Sequence, residues 1–231
     1  MKTMIRRMAA GLAMLATFSL TTATQAAPPV DWSRNVTQSA IGGYALGNPA
    51  AKTRLIEYVS YTCPHCGHYV TESSEPLKSG WVKPGTVVVE MRNAVRDRFD
   101  LTAALLARCG GKTKFFGNHL AIFANQKAWF DKLNSYQLPP GTSDPVAAMK
   151  DVGRRTGLYD LLAKRGLTPA QLDVCLADQA QLKQVLAMTN NAWNEVKIAG
   201  TPGFTLNGKL LENTATWDAV RQALPAAAAR P

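Results

Sequence analysis

Cys63-Pro64-His65-Cys66 places two thiols three residues apart, just after the apolar run Leu55 to Tyr61 and just before a segment able to form a helix. At the first turn of a helix, that spacing brings two sulfurs close enough to close a short disulfide and to open it again. Pro64 suits the first helical position, where its missing N–H costs nothing and its fixed φ is already helical. Cys63 then sits at the N-cap, expected to be exposed. Free backbone N–H groups and the positive end of the helix dipole favour its thiolate. The implied chemistry is thiol–disulfide exchange, in which a thiolate attacks a disulfide sulfur. His65, lying between the two cysteines, is placed to stabilise that thiolate when protonated. A static bridge is one alternative, and half of a zinc site with His65 and His68 is another. Four ligands within six residues of one helix do not easily converge tetrahedrally, and the chain has no second Cys-x-x-Cys, so exchange is the preferred reading.

Glu57 lies six residues before Cys63 in a run of apolar neighbours, where an unpaired carboxylate is costly. Its functional reading is a proton acceptor for Cys66 with a raised pKa, and the plain alternative is a solvent-facing strand position. Two cysteines remain, Cys109 and Cys175. A structural disulfide between them would close about 66 residues and contribute roughly 4 kcal/mol in the chain-entropy picture. A regulatory redox pair and two buried free thiols are the alternatives. His68 is expected at the surface and His119 as an ordinary helix residue. The aromatics Phe115, Phe116, Phe123, Trp129 and Phe130 are expected in the core.

At the start of the chain, residues 1–26 carry the marks of a cleaved secretory signal peptide. Lys2, Arg6 and Arg7 precede an apolar stretch from Met8 to Leu20, and Thr24-Gln25-Ala26 offers small residues at a cleavage site. Thirteen apolar residues are too few for a membrane-spanning helix. An exported chain meets an oxidising compartment, and its even cysteine count suits two disulfides. The full chain of 231 residues has a formal charge of +10. Without the three cations of the leader it falls to +7, which implies solubility and weak attraction to anionic surfaces. No dense Lys/Arg block with interleaved aromatics is present, which argues against nucleic-acid binding.

Residues 27–42 read as an irregular leader and Gly43–Leu46 as a short edge strand. Thr53–Tyr61 and Thr86–Met91 read as buried strands flanking a helix that starts at Pro64 and ends near Ser74, with Pro76 close by. Strand, helix, strand predicts a right-handed parallel βαβ unit. From Leu101 to Asn190 the pattern is helical. One helix ends at Gly110-Gly111, another carries Phe115 to Phe123, a third spans Pro145–Arg155, and Thr168-Pro169 starts the helix bearing Cys175. The chain then returns to strands. Phe204-Thr205-Leu206, Asn207-Gly208 and Lys209-Leu210-Leu211 give a strong hairpin signal, followed by a helix over Thr216–Leu224 and a frayed Ala-rich tail.

With these residues in place the chain resembles the DsbA family of periplasmic thiol–disulfide oxidoreductases. The resemblance rests on Cys63-Pro64-His65-Cys66 after a Glu-containing strand, on the helical stretch, and on Gly200-Thr201-Pro202 before a hairpin. It runs from Gly43-Tyr44-Ala45-Leu46-Gly47-Asn48-Pro49 to the last helix. It implies an α/β thioredoxin fold interrupted by a helical insertion domain. The first thioredoxin-like part would span 27–98, the insertion 99–190, the second part 191–225, and a flexible tail 226–231. By the same resemblance Cys63 would be the nucleophile, Cys66 its buried partner and His65 the group that stabilises the thiolate. Glu57 would be the buried carboxylate, and Pro202 a cis-proline facing the disulfide with Thr201 pairing to substrate backbone. The second cysteine pair departs from the simplest members. The resemblance further implies a monomer that oxidises exported proteins with reduced cysteines, is re-oxidised by a DsbB-like quinone-linked membrane protein, and needs no metal or organic cofactor. A disulfide isomerase or reductase on the same scaffold is the runner-up, and a peptide- or metal-binding module the non-enzyme alternative. The short stretch before Gly43 counts against an isomerase of the DsbC type, which usually carries an N-terminal dimerisation domain.

Overall fold

The computed structural model describes residues 30–227, so the leader and the last residues of the tail lie outside it. Six strands form one mixed sheet in the order β1-β2-β4-β3-β5-β6. β3 (Thr53–Val59) and β4 (Val87–Asn93) run parallel at its centre, in register from Thr53 opposite Val87 to Val59 opposite Asn93. Both are dense in β-branched and apolar residues because both faces are covered. α1 (Pro64–Leu77) makes the crossover between them. It runs beyond the stop expected at Ser74, straight through Pro76. The carbonyl that loses its N–H partner to the Pro76 ring belongs to Glu72, and both residues face solvent, so water can take that role. A wide turn over Lys78–Val82 then leads to β4.

Two expectations near the N-terminus need correction. The stretch read as irregular contains β1 (Val36–Gln38), and β2 (Tyr44–Leu46) lies inside the sheet rather than at its edge, antiparallel to both β1 and β4. Three residues with one partly buried side chain leave no usable periodicity, and β1 owes its existence to the pairing edge of β2. On the other side of the centre, β5 (Gly203–Leu206) pairs antiparallel with β3, and β6 (Lys209–Leu210) follows it. Asn207 and Gly208 both have positive φ, as a two-residue hairpin turn requires.

Seven helices separate β4 from β5: α2 (Arg98–Ala107), α3 (Gly111–Ala124), α4 (Gln126–Phe130), α5 (Pro145–Arg155), α6 (Leu158–Ala163), α7 (Pro169–Ala177) and α8 (Gln179–Asn190). Their starts follow local rules. Asp97, Asp144 and Asp178 cap α2, α5 and α8 with their carboxylates, and Thr168 with Gln171 forms a capping box on α7. The helical run carries on through a wide turn to Val196, six residues past the expected boundary. α9 (Trp217–Ala223), capped by Thr216, closes the chain. One hydrophobic cluster joins the α1 face of the sheet to the insertion through Leu55, Val59, Tyr69, Leu105, Phe115 and Ile122. A smaller one, around Ile56, Tyr58 and Ile198, covers the opposite face.

Candidate active site

β3 delivers the chain to a four-residue loop, Ser60 to Cys63, at the carboxyl end of the central strands. Tyr58 pairs with Gly203, which sets the segment before β5 beside the same end. That segment holds the Thr201–Pro202 bond in the cis form. Cys63 is the N-cap of α1 and Pro64 its first residue, as the sequence predicts. Cys63 and Cys66 are both free thiols, and the Cys63 sulfur donates to the Thr201 carbonyl at 3.0 Å. Cys63 is only 2% exposed, which corrects the expectation of an open thiol. The Thr201 segment lies against its sulfur, while the Pro64 and His65 side chains next to it face solvent.

The two thiols differ sharply in acidity. Cys63 is pulled down from 9.0 to about 4. The main cause is the Cys66 thiol donating to it, followed by the Thr201 hydroxyl and the backbone N–H groups of Cys66 and His65, all against the cost of burial. Cys66 has no exposure, and burial first, then its neighbour Cys63, push it well above 9.0. An acidic outer sulfur beside a reluctant inner one separates attacking and leaving roles. Thr201 Oγ1 is buried with no partner while Cys63 is a thiol, which suits a hydroxyl held ready for an anionic sulfur.

Glu57 lies on the same sheet face as Leu55 and Val59 and is buried, not solvent-facing. Tyr69 of α1 donates its hydroxyl to Oε1 at 2.6 Å. Burial lifts the Glu57 carboxyl from 4.5 to about 7, with the Tyr69 bond acting in the other direction. His119 lies within helix α3 and is also buried. Its Nδ1 meets the Tyr61 hydroxyl at 2.9 Å within an aromatic cluster of Tyr61, Phe115 and Phe123, and burial lowers it to about 3. His68 is exposed. Among the described residues, no three His, Cys, Asp or Glu side chains gather as a metal-holding group.

The loop that presents Cys63 hangs on the insertion, which the sequence does not announce. Asp100 accepts the Tyr61 N–H at 2.7 Å, Asp97 accepts the Thr62 hydroxyl at 2.7 Å, and Gln126 donates to the carbonyls of Tyr61 and Cys63, each at 2.8 Å. Asp97 is legible as a cap before α2, since Asp97-Arg98-Phe99-Asp100 is a helix-start pattern. Gln126 and Asp100 carry no such signal for an active site. Far from the loop, Cys109 and Cys175 are joined by a disulfide between the end of α2 and α7, with Cα atoms 5.6 Å apart. Beside the cis bond, a groove of about 650 Å³ is lined by Lys197, Thr201, Pro202, Leu210, Leu211 and Thr214.

A mixed sheet, a thiol pair at the start of its crossover helix and a cis-proline across from it define a thioredoxin-fold dithiol protein. The family model described as Thioredoxin matches residues 39–226, and the chain belongs to that family. It is similar to the solved structure of a protein-disulfide isomerase from Novosphingobium aromaticivorans, with 40% identity, 78% of this chain and 93% of that one covered, and a TM-score of 0.72. It is also similar to a protein of Rickettsia bellii (strain RML369-C) named "Putative protein-disulfide oxidoreductase", with 30% identity over 168 residues, or 73% of this chain. The chain spans only 58% of the length of that relative. Wolbachia pipientis alpha-DsbA1 shares the fold at 22% identity, covering 80% of this chain and 83% of its own, with a TM-score of 0.57.

Proposed function

We propose that this protein is a dithiol oxidase that transfers the Cys63–Cys66 disulfide to cysteine pairs of exported proteins. A client thiolate attacks the Cys63 sulfur, the bond to Cys66 breaks, and Cys66 leaves with the electron pair and takes a proton. The second client thiolate then attacks the client sulfur of the mixed disulfide, and Cys63 leaves as a thiolate. Two electrons pass from client to enzyme, and one of the two client protons ends on Cys66. The observation that carries this reading is the acidity of Cys63, held near 4 at the start of α1. A stable leaving thiolate favours the reduced enzyme and makes its disulfide oxidising.

In this reading Glu57 exchanges the Cys66 proton with solvent, and the groove beside Thr201 and Pro202 receives extended client chain. His65 adds positive charge when protonated. The Cys109–Cys175 bridge is structural. The basic and apolar leader directs export to the periplasm, where a DsbB-like quinone-linked membrane protein restores the disulfide of a monomeric enzyme. An isomerase on the same scaffold is the second reading, favoured by the likeness to the Novosphingobium protein-disulfide isomerase. The deciding measurement is the equilibrium of Cys63–Cys66 with glutathione after Cys109→Ala and Cys175→Ala. A potential near about −120 mV supports the oxidase, and one near about −270 mV overturns it in favour of a thioredoxin-like reductant.

A further inference from the structure

Among the described residues, Gln126 is the only side chain of the insertion that bonds the main chain of Cys63 itself. It opens α4, half-buried, and its single amide nitrogen gives both hydrogens to the Tyr61 and Cys63 carbonyls at 2.8 Å. The Cys63 carbonyl also accepts the Gly67 N–H at 3.2 Å, the first backbone bond of α1. The amide oxygen of Gln126 lies over Gly67, so close that a Cβ at Gly67 would overlap it. One carboxamide is thus wedged between the loop that brings Cys63 in and the first turn that carries its sulfur's N–H donors. Those donors, the amides of His65 and Cys66, hold the thiolate only if Cys63 keeps its orientation against them.

We propose that Gln126 is a positioning residue, through which the helical insertion fixes the Cys63 backbone against the first turn of α1. This rests on the exchange chemistry proposed for Cys63, and it assigns the insertion a part in setting the reactivity of that sulfur. Gly67 is the second half of the device, since the absence of a side chain there lets the carboxamide reach both carbonyls.

The test uses the full-length protein, purified with Cys109–Cys175 intact and the active-site pair reduced. Gln126→Met keeps length and packing but removes both donated bonds. Gly67→Ala leaves Gln126 in the sequence and pushes its flexible end away. Alanine also propagates a helix better than glycine, by about 1 kcal/mol, which offsets part of the stability lost with the two bonds, so a merely structural role predicts at most altered stability with unchanged chemistry. The readout is the pH midpoint of Cys63 alkylation, read beside the glutathione equilibrium. Each single variant is expected to raise the midpoint by about one pH unit and to make the disulfide correspondingly less oxidising. The double variant is expected to match either single one, because both act on the same two bonds. Additive shifts, or unchanged midpoints in either folded variant, overturn the proposal. A wild-type midpoint near 9 instead removes the exchange reading beneath it, so the two failures are distinguishable.

Discussion

Replacing Glu57 by glutamine is expected to stabilise the fold at alkaline pH and to leave it unchanged in acid. The carboxyl is buried between β3 and α1, accepts one hydrogen bond, from Tyr69, and titrates at about 7 instead of 4.5. Below about 4.5 it is protonated in both the folded and the unfolded chain, so ionisation costs nothing. As the pH rises, the unfolded chain releases its proton first, and the folded state loses stability until the pH passes about 7. The gap between 4.5 and about 7 converts to about 3 kcal/mol, fully expressed by pH 8.5. Glutamine has the same shape, keeps an acceptor for the Tyr69 hydroxyl and has no proton to release.

The assay is urea unfolding at pH 4 and at pH 8.5, in a Cys63→Ala/Cys66→Ala background that needs no reductant and so preserves Cys109–Cys175. The difference of the two differences cancels every other titrating group, Asp100 included, which burial also raises to about 7. An advantage of about 3 kcal/mol for the Glu57→Gln variant at pH 8.5 that disappears by pH 4 is the expected result. An advantage below about 1 kcal/mol at pH 8.5, or one that does not change with pH, refutes the reasoning that burial alone governs this carboxyl. With both cysteines present, the same substitution should slow the step that moves a proton to or from Cys66, and should slow it most near neutrality.

The remaining predictions concern the other groups with displaced acidity and the distant bridge. Alkylation of Cys63 in the reduced protein should show a midpoint near pH 4, and Cys63→Ser should abolish both that step and exchange. Because the folded pKa lies below the ordinary 9.0, the reduced form carries stability that is complete above pH 9, falls progressively as the pH drops, and is gone below about 4. Its advantage over the oxidised form in denaturant should therefore shrink towards pH 3. His119 is displaced in the destabilising direction, from 6.5 to about 3, so the fold weakens as the pH falls between those values. His119→Phe should lower the acid-unfolding midpoint seen by circular dichroism, while costing about 1–3 kcal/mol at pH 7.5 because the buried Tyr61 hydroxyl loses its partner. Cys109→Ala with Cys175→Ala should cost about 4 kcal/mol in chemical unfolding, the loop-closure value for their separation. Exchange should survive at permissive temperature.

What the sequence revealed was what local rules dictate. Pro64 after Cys63, Thr168 before Pro169, Asn207-Gly208 and the β-branched runs of β3 and β4 are each recognisable without the rest of the chain, because caps, turns and buried strands have local causes. β1 was not legible, since three residues paired only with β2 carry no pattern of their own. The extension of α1 past Pro76 was hidden for a related reason: whether a proline ends a helix depends on who solvates the freed carbonyl, and that is a tertiary fact. The cover over Cys63 comes from Thr201, 138 residues away. The support of its loop comes from Asp97, Asp100 and Gln126, none within thirty residues of it. Side chains that act on main-chain atoms across such distances leave no spacing to read.

That separation between chemistry and support also says why a thiol pair of this kind needs more than its helix. The dipole and N–H groups of a first turn are available to any N-cap cysteine, yet they favour an anion only on a sulfur held in their path. In this chain the strongest single contribution comes from Cys66, an inner thiol too buried to ionise and therefore still able to donate. The disulfide has no such hydrogen bond, because forming it consumes that proton. Every interaction that steadies the Cys63 thiolate is thus absent from the oxidised state and weighs against it, which is how a local acidity becomes an oxidising potential. A loop free to turn Cys63 away would lose both the amide contacts and the Cys66 bond together. Holding the backbone of Cys63 from outside the thioredoxin-like part, as the insertion does, ties the potential to the packing of that insertion, and a loosened insertion should yield a weaker oxidant before it yields an unfolded protein.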